Sequence, residues 1–289
     1  MARFGVTIIP SASGRSDPVA EARRAEELGF DLIAVWDHPH GENPSFEAWT
    51  LMTWIAAQTS RIAIASDVLS LPFRLPALIA KMAESLDRLS GGRLILGLGA
   101  GSVDQEFAAF GAPVRPSAEK IEALEEALRV IRGVWSEPVF TYDGAYYRNE
   151  EARVEPKPTR TIPIWLGAYR PRALELTGRL ADGWIPSMGY LPPAEVEPAM
   201  ARVRAAAERA GRDPDALDFA YNVSVRLGGP PANDPERQVA GEAAEVARQL
   251  SALLELGFSV LNLSLSGDRE EQMRRLAEDV LPDVRRLTG

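Results

Sequence analysis

Only two histidines occur in the 289 residues, and both lie in one short segment, Trp36-Asp37-His38-Pro39-His40. Imidazole is the one side chain whose ordinary pKa falls near neutrality, so this segment has the chemistry to take or deliver a proton. Asp37 is placed to orient such a histidine. The same residues also suit a capped loop, with Asp37 bonding nearby backbone and both rings solvated. A metal site is not expected. The histidines stand two apart, there is no third, and the chain has no cysteine.

Three further segments carry unusual residues. In Ser66-Asp67-Val68-Leu69-Ser70-Leu71-Pro72-Phe73-Arg74, Asp67 is either a cap or ion-pair partner, or part of a bulge that offers main-chain atoms to a flat ring. Gly97-Leu98-Gly99-Ala100-Gly101-Ser102 resembles a dinucleotide-binding turn, but Ser102 stands where that pattern needs glycine or alanine. Its glycines allow either a tight turn or close approach of a ligand to the backbone. In Trp165-Leu166-Gly167-Ala168-Tyr169-Arg170-Pro171-Arg172, a turn runs into a proline-opened helix. Free N–H groups at such a helix start suit a phosphate, and Arg170 and Arg172 would add charge.

These segments need a frame, and the chain supplies one. Short apolar runs alternate with amphipathic stretches along nearly its whole length, the pattern of a parallel α/β architecture. Strands are expected at Phe4 to Pro10, Leu32 to Trp36, Ile62 to Ser66, Arg93 to Leu98, Ile162 to Gly167, Trp184-Ile185, Leu217 to Leu227 and Val260 to Leu265. Asp17-Pro18 opens the first helix and Pro76 the third. Val139 to Arg153 breaks the rhythm, with a hairpin turn at Tyr142-Asp143-Gly144-Ala145. Gly228 to Pro235 is expected to be a loop. Eight strand–helix units favour a single (β/α)8 TIM barrel over residues 1–289, with an inserted hairpin excursion between strands four and five. In that fold the four unusual segments follow strands two to five, on the face where barrels do chemistry.

Composition narrows the function. A formal charge of −9 disfavours nucleic acid and anionic membrane as partners. No stretch reaches the ~18 apolar residues of a membrane span, and the N-terminus reads as a strand rather than a leader, so a cytoplasmic protein is expected. Trp49, Phe73, Phe107, Phe110, Met188 and Tyr190 are candidates for an apolar pocket wall.

The run from Arg61 to Gly101, "RIAIASDVLSLPFRLPALIAKMAESLDRLSGGRLILGLGAG", resembles the core of the luciferase-like monooxygenase superfamily. So do "PIWLGAYRPRALELTGRLADGWIP" at Pro163 to Pro186 and the opening "EARRAEELGFDLIAVWDH". The resemblance spans nearly the whole chain and points to the deazaflavin (F420-dependent) oxidoreductase branch. It implies a barrel that binds coenzyme F420 or, alternatively, FMN. It implies a non-proline cis peptide at Asp67–Val68, buttressing the ring. Ring or ribityl contacts would fall at Asp37, Ser70 and Gly99-Ala100-Gly101, and phosphate contacts at Gly167, Ala168, Tyr169 and Arg170. His38 stands at the position of an active-site histidine in sugar-phosphate-oxidising deazaflavin dehydrogenases. Those enzymes carry a glutamate where this chain has Ser102 and a lysine where it has Tyr190, which speaks against a sugar phosphate. Many other relatives have a tryptophan at Ser102, and glycine is common at Arg170. The implied function is hydride transfer between F420 and a small organic substrate, with His38 moving the proton and Asp37 orienting it. A reduced-FMN monooxygenase and a non-catalytic flavin-binding protein are the alternatives, and a homodimer is implied.

Overall fold

The computed structural model describes residues 2–14, 16–229 and 232–288. Eight parallel strands run in the order β1 (Arg3–Ile8), β2 (Leu32–Val35), β3 (Ala63–Ser66), β4 (Leu94–Gly99), β5 (Ile164–Leu166), β6 (Gly183–Trp184), β7 (Asp218–Leu227) and β8 (Val260–Leu265). Each pairs with the next, and β8 pairs back to β1, so the sheet closes into a barrel. After β3 the chain bulges and resumes beside β4 as the short strand Leu69–Ser70, which pairs Ser70 with Gly99.

The helices that wrap this barrel are α1 (Pro18–Glu27), α2 (Ala48–Gln58), α3 (Pro76–Ser90), α4 (Ser117–Ser136), α5 (Pro171–Leu180), α6 (Pro193–Arg209) and α7 (Ala243–Glu255). A last helical stretch combines Arg269–Arg275, a π turn at Leu276–Val280 and Leu281–Thr288. Their ends follow local chemistry. Asp17 accepts from the backbone N–H of Val19 and Ala20 at 3.1 and 2.9 Å, with Pro18 opening α1. Gly91, at φ 76°, closes α3 in the left-handed region.

A two-stranded antiparallel hairpin, Phe140–Asp143 with Arg148–Ala152, lies in the chain between α4 and β5. Glu126 on α4 holds it, accepting from the N–H groups of Ala145, Tyr146 and Tyr147 at 2.8–3.0 Å. The hairpin is thereby pinned to the helical layer. Within the stretch expected as a loop, Pro230 and Pro231 lie outside the described residues. Val239–Gly241, next to it, forms a short strand beside the end of β7 that the sequence pattern does not mark.

Most apolar burial lies between strands and helices. A second, smaller cluster fills the barrel itself, with Leu32, Ala34, Ala65, Ile95, Trp165, Ile185, Ala220 and Val260. Side chains alternate along a strand, so residues two positions further on share that interior face. On β3, β7 and β8 this places Asp67, Asn222 and Asn262 inside, above Ala65, Ala220 and Val260. The barrel lumen thus changes from apolar at the bottom to polar at the C-terminal ends of the strands.

Candidate active site

The glycine turn after β4 leads into a short helix, Asp104–Ala109, that the sequence reading did not separate from the turn. Its Glu106 is buried and accepts from His38 Nδ1 at 2.9 Å. The two residues are 68 apart in sequence, brought together by the turns that follow β2 and β4. The His38 side chain is 48% exposed, whereas that of Glu106 is only 10% exposed. A carboxylate is acceptor-only, so the bond puts the ring proton on Nδ1 and leaves Nε2 as a free acceptor towards solvent. Glu106 Oε2 is buried with no partner in the protein. Trp36 meets the His38 ring edge-on at 6.4 Å, and His40 meets Phe110 at 6.2 Å.

Asp37, next to His38, has a different environment. Its buried carboxylate receives both arms of Arg74, at 2.7 and 3.1 Å, and the Ser70 N–H at 2.9 Å. Arg74 also pairs with Glu47, which caps α2 through the N–H groups of Trp49 and Thr50. Burial works to raise the Glu47 carboxyl, but its bonds from Thr50, Trp49 and Arg74 hold it below the usual range. The network ties the turn after β2 to the turn after β3. Asp37 therefore meets Ser70 and Arg74, and its contact to this point is not with His38.

The Asp67–Val68 peptide is cis. Val68 fits a notch made by three glycines on neighbouring strands. A Cβ at Gly97, Gly99 or Gly167 would stand 3.2, 2.7 and 3.2 Å from its side chain. At Gly97 a Cβ would also lie 1.9 Å from Ser66 O, and Ser66 Oγ bridges the Gly97 N–H and C=O at 2.9 and 2.8 Å. Gly101, at φ 89°, leaves room for the Phe107 ring. These glycines let the strand-three bulge and the short helix seat against the turn. Ala100 between them stays half-buried.

Asp67 itself turns into the lumen and is half-buried. Its Oδ1 accepts from Asn222 Nδ2 at 2.9 Å and its Oδ2 from Asn262 Nδ2 at 3.4 Å. Desolvation, opposed by the Asn222 bond, pushes its carboxyl up to about 6. Asn222 Nδ2 also donates to Ser187 Oγ at 3.1 Å, and Asn262 Nδ2 to Asn222 Oδ1 and Thr7 Oγ1 at 2.8 and 3.0 Å.

At the end of β5, Gly167 N–H bonds Leu98 O at 3.2 Å and Ala168 O accepts from Trp184 Nε1 at 2.9 Å. The Tyr169 hydroxyl accepts from the Ser187 N–H at 3.1 Å, and its ring meets Tyr190 edge-on at 5.6 Å. Burial raises the Tyr169 phenol, which stays neutral. Arg170 caps α5 from an exposed position, with Pro171 at the helix start and no side-chain cap bond. Arg172 is committed to Glu122 at 3.0 Å. Of the two arginines expected to attract a phosphate, Arg170 alone is left open for it.

Of the expected pocket wall, Phe73, Phe107 and Phe110 form one cluster, with ring centroids 4.9 and 5.7 Å apart about Phe73. Phe107 and Met188 are buried, Trp49 packs on the core and Tyr190 is exposed. A cleft of about 620 Å³ lies elsewhere, between α1 and the last helical stretch. Most of its charges are engaged: Arg269 binds Glu21, Arg24 binds Glu27, and Asp17 and Asp268 cap helices. It is an outer groove between helices. Among the described residues, no cluster of three or more His, Cys, Asp or Glu side chains is placed to hold a metal ion.

Sequence reasoning missed Glu106, Arg74, Ser187, Asn222 and Asn262. The asparagines did carry a signal, since each interrupts an apolar strand at a buried position, where a polar group needs a partner. Glu106 had no such mark, being one acid among many beside a turn.

Comparison with known proteins agrees with this geometry. Residues 3–282 match the family described as luciferase-like monooxygenase. An F420-dependent glucose-6-phosphate dehydrogenase of Nakamurella multipartita is 27% identical, with 99% of this chain and 98% of that protein covered. One from Gordonia bronchialis is 31% identical over 89% of this chain and 74% of its own length. Among solved structures, an F420-dependent secondary alcohol dehydrogenase in complex with an F420–acetone adduct superposes with a TM-score of 0.88 at 20% identity, covering 98% of this chain and 99% of that one.

Proposed function

The chain belongs to the luciferase-like monooxygenase family, and from that premise we propose that it is an F420-dependent oxidoreductase acting on a small organic substrate. The observation that carries the reading is the His38–Glu106 pair, a half-exposed imidazole on a buried carboxylate at the mouth of the barrel. The residues present suit the cofactor. The Val68 bulge offers a wall for a flat ring, the polar floor of Asp67, Asn222 and Asn262 offers hydrogen bonds, and Arg170 with the start of α5 offers charge to a phosphate. Ser70, Gly99, Ala100, Gly101, Gly167, Ala168 and Tyr169 line the turns around that space.

When bound, the deazaflavin supplies the hydride chemistry. The protein's part is to orient and to move a proton. His38 Nε2 takes the proton released by a substrate hydroxyl, or returns it in the reverse direction. Glu106 fixes the ring and stabilises it when charged. Asp37 acts one step removed, holding Ser70 and Arg74 and thereby the turn after β3. The aromatic cluster of Phe73, Phe107 and Phe110, with Tyr190 in place of a lysine, supports an uncharged substrate rather than a sugar phosphate.

A homodimer is part of the proposal, supported by Trp54, Leu75 and Leu78, which remain exposed on α2 and at the start of α3. No helix among the described residues is long and apolar enough to cross a membrane. The test is a fluorescence titration of the protein with F420 and with FMN, followed by turnover on alcohols and on glucose 6-phosphate. Preferential F420 binding with alcohol turnover is the expected result. Preferential FMN binding with oxygen uptake would replace the proposal with a monooxygenase, and turnover on glucose 6-phosphate would overturn the substrate class.

A further inference from the structure

The polar floor of the barrel is short of donors: Asn262 Oδ1 is buried with no partner in the protein, and its amide nitrogen is oversubscribed. Asn262 Nδ2 carries two hydrogens, yet three oxygens converge on it: Asn222 Oδ1 at 2.8 Å, Thr7 Oγ1 at 3.0 Å and Asp67 Oδ2 at 3.4 Å. The worst served is Asp67 Oδ2, at the longest distance. Its other oxygen has a good bond from Asn222, at 2.9 Å. Both of these partners are neutral amides. The Asp67 N–H is spent on Val35 O at 2.8 Å. Asp67 is only half-buried, so water from the barrel mouth completes the solvation that two neutral amides leave short. Covering the mouth removes that water.

We propose that Asp67 takes up one proton when the site is filled, and then serves as a hydrogen-bond donor to the bound molecule from the floor of the barrel. The inference rests on the F420 reading for the identity of that molecule. The proton comes from solvent and sits on Oδ2, the oxygen that lacks a good donor. It removes one acceptor from the crowd around Asn262 and gives the floor a donor directed at the lumen. The groups that face Asp67 are Asn222 from β7, Asn262 from β8 and Tyr169 from the end of β5, the last held neutral by burial. In the free protein Asp67 titrates near 6, so at pH 8 it is ionised before the ligand arrives. The sign follows: a group whose pKa rises on binding makes binding tighter at low pH. Affinity then weakens as pH climbs above the free value, by up to about tenfold per pH unit.

The experiment is calorimetric titration with F420 at pH 8 in two buffers of different ionisation heat, for the wild type and for Asp67→Asn. Close to one proton is taken up by the wild type, and Kd weakens about tenfold between pH 7 and 8. Asp67→Asn, a neutral isostere, binds without proton uptake and loses that slope. Histidine titrates in the same range, so His38→Asn is the control and keeps both the uptake and the slope. Wild-type binding with no uptake, or uptake that persists in Asp67→Asn, overturns the inference and leaves the F420 reading standing. Absence of F420 binding at any pH sinks that reading instead. The carboxyl ¹³C shift of Asp67 at pH 8 checks the same point directly: ionised in the free protein and protonated in the F420 complex is expected, and ionised in both overturns the inference.

Discussion

Asp37 and His38 are neighbours in the chain, yet their surroundings differ in one respect that separates framework from chemistry. Asp37 is saturated: three donors meet its two oxygens, and Arg74 extends the network to Glu47 and the start of α2. His38 is held at one nitrogen only, by a carboxylate whose second oxygen has no partner. A charge so heavily bonded fixes its neighbours in place. A group bonded on one side is oriented and still reactive on the other. On the proposed reading, the turn after β2 carries a brace and a tool at consecutive positions.

Substitutions on each side should fail in different ways. His38→Ala should lower turnover by about 10²–10⁴-fold, the usual worth of a positioned acid or base, while F420 affinity holds; stability should fall by about 1–3 kcal/mol, because Glu106 loses its partner. Steady-state kinetics beside a fluorescence titration checks this, and a matching loss of affinity would move His38 into the binding machinery. Arg74→Ala should act through the fold. It strands the buried Asp37 carboxylate and should cost about 3–5 kcal/mol in chemical denaturation. Wild-type stability in that variant would mean that Asp37 is solvated in some other way. The smallest effect belongs to Glu106→Gln, which keeps the shape and removes the charge. Turnover should fall about tenfold, with denaturation unchanged within about 1 kcal/mol because one oxygen already lacks a partner. A large loss of stability there would make Glu106 a second brace.

How much of this could be read beforehand depended on the range of the interaction. The barrel was readable because strand and helix periodicity is local, and Asp17-Pro18 or Gly91-Gly92 mark helix ends within a few residues. His38 stood out by rarity, and the site of the Asp67–Val68 bond by family resemblance. Glu106 was not readable, because nothing in its own neighbourhood says that a histidine 68 positions earlier will meet it. The partnership of Asn222 with Asn262 is fixed by strand register, which pairs them directly on β7 and β8. Register of that kind emerges only when the sheet closes. Arg74 gains its role only because the turn after β3 stands against Asp37.

Val68 and its three glycines set a boundary on how this site can change through descent. One isopropyl group occupies the room that side chains at 97, 99 and 167 would need. A larger residue at 99 must wait for a smaller one at 68, one at 167 needs Val68 to give way slightly, and Gly97 stays barred in any case by the Ser66 carbonyl. These positions form a single hereditary unit, whereas the turns bearing Phe73, Phe110 and Tyr190 are free to vary one residue at a time. New substrates for this scaffold should therefore arise at the rim, with the wall behind the ring passed on unaltered.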